Sequence, residues 1–273
     1  MGDGRLRGLP VGVGNFLAAS TRPVRRALEP YRRRLGSVLV MRVAALHDIH
    51  GNLPALEAVL ADIDRDPVAA LVCGGDVVLG AQPAECLELM RSRGAHFVRG
   101  NCERSVLERE DETTAWCYER LDDDARAFLA ELPTTVSLDG VLFCHATPRS
   151  DDEILTAATP DDVVTEALVG VAEETVVGGH THHQFDRRVG RHRLVNAGSV
   201  GLPYEGDAAA FWALLADGDV ELRRTPYDVS AAVERLHATG YPGLGDFIQE
   251  SLVEPMPPDE VIAHFERQAG RGA

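Results

Sequence analysis

Lysine is absent from the 273 residues, so every fixed positive side-chain charge is an arginine. No run of about 18 apolar residues occurs either, which argues against a membrane span. Cysteine is sparse: Cys73, Cys86, Cys102, Cys117 and Cys144 are odd in number, and none belongs to a Cys-X-X-Cys pair. That usage excludes a disulfide framework or a zinc ribbon and points to a reducing, cytoplasmic setting. Positive charge is also short, with 27 arginines against 43 acids and a formal net charge of −16. Such a surface repels polyanions, so long nucleic acid is a poor partner, while a small phosphate compound can still be held by local cations. At 45% hydrophobic content the chain can bury the core of one α/β domain.

Charge is unevenly placed. Residues 1–40 hold eight arginines against Asp3 and Glu29, whereas the remaining 233 hold 19 arginines and 41 acids. Glycine, proline and arginine dominate this start, and its short apolar patch at 11–19 is broken by glycines. The expectation is a basic, disordered or weakly helical arm ahead of a domain that begins at Met41.

From Met41 the pattern alternates as βαβ units do: strand 41–46, helix 53–64, strand 69–73, helix 83–92, strand 95–98. An acidic, helix-prone stretch at 104–132 reads as a cap, and its Trp116 and Tyr118 either stack on a substrate ring or pack the cap onto the body. Strands follow at 134–138 and 141–145 around an Asp139-Gly140 turn, then a helix-like segment at 161–172. The chain continues through an extended run ending in Gly178-Gly179-His180-Thr181-His182, and hairpins turn near 189–190 and 217–218. An amphipathic helix at 228–238 closes the domain at residue 239. Residues 240–273 read as a Pro/Gly-broken tail with a short helix at 259–267.

The chemistry gathers at strand ends. Asp48 and His50, in His47-Asp48-Ile49-His50-Gly51-Asn52, follow an apolar run and stand two apart, on one face of an extended chain. Asp76 follows Gly74-Gly75 and Asn101 follows Gly100; Asp48, Asp76 and Asn101 are spaced by 28 and 25 residues, about one βαβ repeat each. Successive strand ends of such a sheet share one edge, where ligands bind. His145 ends another apolar strand, and His180 and His182 follow a glycine pair. Any one of these histidines reads equally well as a packed side chain. The register of all seven residues argues for metal, and carboxylate, amide and imidazole donors without thiolate suit Mn²⁺, Fe or Zn²⁺ better than a structural zinc site.

These motifs, in this order, resemble the calcineurin-like metallophosphoesterase superfamily, most of all its small bacterial and archaeal YfcE-type phosphodiesterase branch, over residues 41–239. The resemblance implies an α/β (α+β) fold: a β-sandwich flanked by helices in four αββα layers, with 104–132 as an inserted helical cap. It implies two divalent metal ions, Mn²⁺ first with Fe or Zn²⁺ as alternatives. Asp48, His50 and His182 would hold one, Asn101, His145 and His180 the other, and Asp76 would bridge both. It further implies hydrolysis of a small phosphate ester, cyclic nucleotide-like, by a metal-activated hydroxide, with Asp76 and Asn101 in the catalytic machinery. A phosphomonoesterase or protein phosphatase on the same centre is the alternative within enzymes. A non-catalytic binding scaffold of the same fold is the other, and the presence of all seven ligands speaks against it.

Departures from the family pattern concern Cys102 and His47. Cys102 stands where the family often has a histidine that protonates the leaving group; a thiol with a reference pKa near 8.5 is a poor substitute, so Cys102 is either a weak catalytic group or a packed thiol. His47 stands where a small serine is usual and is given no function. Arg149 and Arg104 either reach a phosphate oxygen or are solvated loop arginines. Asn196 and Gly198 are expected to shape a loop beside the site without binding metal.

Overall fold

The computed structural model describes residues 32–35 and 38–271, with side chains from Met41 onward. Two mixed sheets pack face to face, with helices on both outer surfaces. The first sheet runs, in spatial order, Asp219–Thr225 (β12), Ala210–Ala216 (β11), Val43–Leu46 (β3), Ala70–Cys73 (β4) and His96–Phe97 (β5). Its strands β3, β4 and β5 are parallel, and β11 joins β3 antiparallel. The second runs Thr135–Leu138 (β6), Val141–Cys144 (β7), Thr175–Gly178 (β8), His192–Asn196 (β10) and Phe185–Val189 (β9), with β7, β8 and β10 parallel.

Alternation along β3 explains why its sequence is apolar throughout. Val43 and Ala45 point into the layer between the sheets, with Val72, Phe143, Val177, Val195 and Ala213. Ala44 and Leu46 point the other way, into the core under the helices Leu53–Arg65 (α1) and Pro83–Ser92 (α2). A strand buried on both faces leaves no polar position until its end, and that is where the ligand-type residues begin. The second sheet buries Leu142, Cys144, Val176 and Leu194 against Val164 and Ala167 of the helix Asp161–Ala167 (α6). The αββα order expected from the sequence is thus the observed one.

The segment 104–132 lies in helices Asn101–Glu108 (α3), Glu112–Arg120 (α4) and Asp123–Ala130 (α5). Trp116 and Tyr118 are both engaged within the protein. The Trp116 ring meets Tyr241 edge-on at 5.2 Å and carries the Arg120 guanidinium at 3.2 Å, and Arg126 covers Tyr118 at 4.1 Å. Residues 240–271 pack onto the domain, and the short helix expected at 259–267 is present with more structure before it. After the helix Val229–His237 (α7) come Leu244–Ile248 (α8), a π-turn at Gln249–Val253 and Pro258–Gln268 (α9). Leu244, Phe247 and Leu252 enter the helix-side core, and Glu266 on α9 accepts hydrogen bonds from Thr156 and Thr159. Burial of those side chains overrides the local breaking effect of proline and glycine.

Part of the arm expected at 1–40 also differs. Arg32–Leu35 (β1) and Val38–Met41 (β2) pair antiparallel, Arg32 opposite Met41. Valines at 38 and 40 favour extended backbone, a signal that the arginine-rich composition hid. The rest of that arm lies outside the described residues.

Candidate metal centre

The loops after β3 and β4 are laced together by backbone hydrogen bonds. Asp48 N donates to Gly75 O (3.1 Å) and His50 N to Asp76 O (2.9 Å). Eight non-glycine residues among those described adopt positive φ, and five of them are Asp48, His50, Asp76, His180 and His182. Each such conformation costs of order 1–3 kcal/mol, so the surrounding fold is holding these side chains where they stand.

They converge in overlapping groups, one of which also brings His47 to Asp48 and His145. Ligand atoms of Asp48, His50, Asp76 and His182 lie within 4.8 Å of one another, as do those of Asp76, His145 and His180. Asp48 Oδ1 is 3.1 Å from His182 Nε2, and His50 Nε2 is 3.2 Å from the same nitrogen. In the second group His145 Nε2 lies 3.3 Å from Asp76 Oδ2 and 3.0 Å from Asn101 Oδ1. His180 sets its ring 5.2 Å from that of His145 and donates its backbone N–H to Asp48 Oδ2 (2.9 Å). All seven sequence-expected ligands therefore meet at one edge of the sandwich.

Outer contacts fix the tautomers. His50 Nδ1 donates to Leu79 O (3.1 Å) and His145 Nδ1 to Gly74 O (3.0 Å), which turns each Nε2 inward, toward the carboxylates. Cys117 Sγ ties the same loop from behind through Gly80 O. Asp48 Oδ1 is buried and has no hydrogen-bond donor. Acceptors crowded together without donors are costly to bury, and a cation among them removes the cost. Electrostatics point the same way. Burial would raise the Asp48 carboxyl, yet His182 and His145 hold it down at about 2. Burial lowers His145, but Asp76 and Asp48 outweigh it and raise the imidazole to about 10. Burial likewise favours a protonated Asp76, and His145 and His50 keep it below the carboxylate range. The pocket attracts positive charge at the point where its donors meet. This buried Asp/His cluster suits divalent metal ions.

The remaining candidates are placed less directly. Cys102 Sγ donates to Asp76 Oδ2 at 3.0 Å, and burial together with Asp76 raises its pKa well above the ordinary thiol value. It is a protonated donor to the central carboxylate, not a thiolate. Arg104 is held by Asp151 (3.1 Å) and Asp152 (3.5 Å), and Arg149 by Glu153 (2.6 Å) with Glu166 beyond it (3.5 Å). Neither guanidinium is a free loop charge, and neither is bonded to the cluster. Asn196 donates to Gly179 O (2.6 Å) and Thr181 Oγ1 (3.0 Å), bracing the loop that carries His180 and His182.

Three residues near the site left no reading in the sequence, and a fourth, His47, was noted there without a function. Ser199 Oγ donates to Asp48 O (2.7 Å), and Tyr204 stacks on His182 at 5.0 Å; neither leaves a sequence signal. Glu103 is fully buried and accepts from the backbone N–H groups of Gly100, Asp76 and Val77. Its signal was an acid three residues after a helix-capping glycine. His47 is also fully buried, with both ring nitrogens unpartnered. It is wedged between Gly74 and Gly179, where an added Cβ would lie 2.0 and 2.7 Å from its atoms. Burial pushes this imidazole down to about 4, so it is neutral.

Comparison with known proteins agrees with the geometry. The calcineurin-like phosphoesterase superfamily domain matches residues 41–218. An uncharacterized protein of Methanocaldococcus jannaschii is 30% identical over 229 residues, covering 71% of this chain and 91% of its own. Two solved structures share the fold with a TM-score of 0.68 each. A metallophosphoesterase from Sphaerobacter thermophilus is 23% identical, over 78% of this chain and 100% of that one. A hypothetical protein from Pyrococcus horikoshii OT3 is 20% identical, over 77% and 96%. With the domain match covering every clustered side chain and every strand of the two sheets except β12, the chain belongs to the calcineurin-like phosphoesterase superfamily, as a hydrolase acting on phosphoric ester bonds.

Proposed function

We propose that this hydrolase is a phosphodiesterase acting on a small, cyclic nucleotide-like phosphate ester with two divalent cations, Mn²⁺ foremost and Fe or Zn²⁺ as alternatives. Asp48, His50 and His182 would hold one cation, Asn101, His145 and His180 the other. The observation that carries the reading is the position of Asp76 Oδ2, 3.9 Å from His50 Nε2 and 3.3 Å from His145 Nε2, within reach of both donor sets. Bound there, a cation pair supplies Lewis-acid stabilisation of phosphoryl oxygens and water acidic enough to attack near neutral pH.

The chain's own residues favour a diester. Asn101 contributes a neutral oxygen, which limits the negative charge facing an anionic substrate. Arg104 and Arg149 are already neutralised by carboxylates, so neither is free to balance the second charge that a monoester carries near pH 7. The Cys102 thiol stays protonated and turned toward Asp76, which supports good leaving groups or strained diesters as substrates. All five cysteines are free thiols, in keeping with a reducing, cytoplasmic setting. Among the described residues no helix is long and apolar enough to cross a membrane.

Rates on bis(p-nitrophenyl) phosphate and p-nitrophenyl phosphate, with Mn²⁺ supplied, test the proposal. The expected kcat/KM for the diester exceeds that for the monoester by about tenfold or more. The reverse order would make the chain a phosphomonoesterase on the same centre.

A further inference from the structure

One buried carboxylate has no place among the proposed ligands, yet it touches both of the loops that carry them. Glu103 stands in the first turn of α3, two residues after Asn101. Its Oε2 accepts from Gly100 N (2.7 Å) and Asp76 N (2.9 Å), and its Oε1 accepts from Val77 N (2.7 Å). Gly100 leads into Asn101 at the end of β5, whereas Asp76 and Val77 follow β4. The side chain is fully buried, so no water competes for these bonds.

The return contact comes from the same helix turn. Cys102 N donates to Asp76 Oδ1 (2.9 Å), so the backbone of α3 holds the Asp76 side chain while the Glu103 side chain holds the Asp76 backbone. The fit leaves no slack: a Cβ on Gly100 would lie 2.1 Å from Asp76 Oδ1 and 2.9 Å from Glu103 Oε2. Asp76 itself sits at φ 55°, a conformation that needs outside support.

We infer that Glu103 is a positioning residue that sets the separation of Asp76 and Asn101, and thereby the affinity for the second of the two proposed cations. The inference rests on the two-cation reading above. Its asymmetry follows from the ligand sets. Relaxing the two loops displaces Asp76 and Asn101 together, half of the second cation's donors. Of the first cation's donors it displaces only Asp76 directly; Asp48 and His50 feel it at one remove, through the bonds from Asp48 N to Gly75 O and His50 N to Asp76 O, and His182 lies on a segment that Glu103 does not touch. A change of fold stability alone would weaken both sites alike.

Glu103→Gln keeps the size of the side chain but turns an N–H toward at least one backbone N–H, whichever way the amide lies. Mn²⁺ titration by calorimetry, on the full chain stripped with chelator, reads the two sites separately. Partners outside the ligand set commonly shift metal affinity by about 10–100-fold, and that loss is expected at one site of Glu103→Gln while the other stays within about threefold of the parent. Glu103→Asp, which keeps three acceptor positions at a shorter reach, should fall between the two. Parent-like affinities at both sites of Glu103→Gln would overturn the inference, and so would an equal loss at both. If Glu103→Gln does not fold, Glu103→Asp is judged by the same split. A parent protein that binds no Mn²⁺ would instead overturn the proposed function, so the two failures are distinguishable.

Discussion

Adding one methyl group at Gly74 should destabilise the protein severely, and removing the His47 ring should restore most of the loss. A Cβ at Gly74 would lie 2.0 Å from His47 Cε1 and Nδ1 and 2.3 Å from Nε2. The ring has little room to move, because it has no exposed surface and Gly179 also packs closely against His47. Nor can Gly74 retreat: its N–H donates to Leu46 O (2.8 Å), and its carbonyl accepts from His145 Nδ1 (3.0 Å). Overpacking a tight core costs 1–3 kcal/mol, and with both sides blocked about 3 kcal/mol is the figure to use. At roughly 2–4 °C per kcal/mol for a domain of this size, Gly74→Ala should lower Tm by about 6–12 °C. His47→Ser alone should be milder. It opens a cavity but also removes a buried imidazole whose nitrogens have no partners, and the two effects oppose each other. The double variant should then recover about 2–3 kcal/mol, a coupling at the upper end for residues in contact. Thermal and urea unfolding with chelator present measures all four proteins without a contribution from bound metal. If Gly74→Ala costs the same with and without the His47 ring, that ring is not what excludes a side chain there, and the packing argument fails.

Three further outcomes follow from the geometry. Cys102→Ala should change kcat/KM by less than about tenfold, because the thiol is a buried donor to Asp76; a loss of about 100-fold or more would return it to the role of general acid. Mn²⁺ at about 100 times its Kd should stabilise the chelated protein by about 2.7 kcal/mol, raising Tm by about 5–11 °C, and Asp48→Asn should abolish most of that rise. Glu266 concerns acid stability: burial raises its carboxyl, but Arg271, Thr159 and Thr156 outweigh that and hold it at about 2, below the ordinary 4.5. Its contribution is therefore complete above pH 4.5 and fades as pH falls toward 2, so Glu266→Gln should flatten the unfolding curve in that window and lower stability at pH 7.

The seven clustered residues were legible because each follows an apolar strand or a glycine turn, and parallel strands deliver their ends to one edge. The layers were expected only through the family resemblance, although the structure now shows a physical reason for them. A run such as Val43-Ala44-Ala45-Leu46 has no polar face, so it must be covered on both sides. What escaped was whatever acts through backbone atoms. Glu103 is one acid in an acidic stretch until its three N–H partners, two of them from a loop more than 20 residues away, are seen around it. His47 looked like an odd neighbour of a ligand; the space for it is made by Gly74 and Gly179, which are distant in sequence. Arg104 and Arg149 read as free cations because their acids lie on other segments or are lost in the negative background. Beyond Gly240 only the helix near 259–267 was legible, because local signals count proline and glycine but not the burial of Phe247 and Leu252.

Anomalous diffraction from crystals grown with Mn²⁺, beside elemental analysis of the same preparation, tests the central claim most directly. Two peaks about 3.5–4 Å apart are predicted, with Asp76 between them, Asp48, His50 and His182 around one, and Asn101, His145 and His180 around the other. A single peak, or metal bound away from these residues, would contradict it.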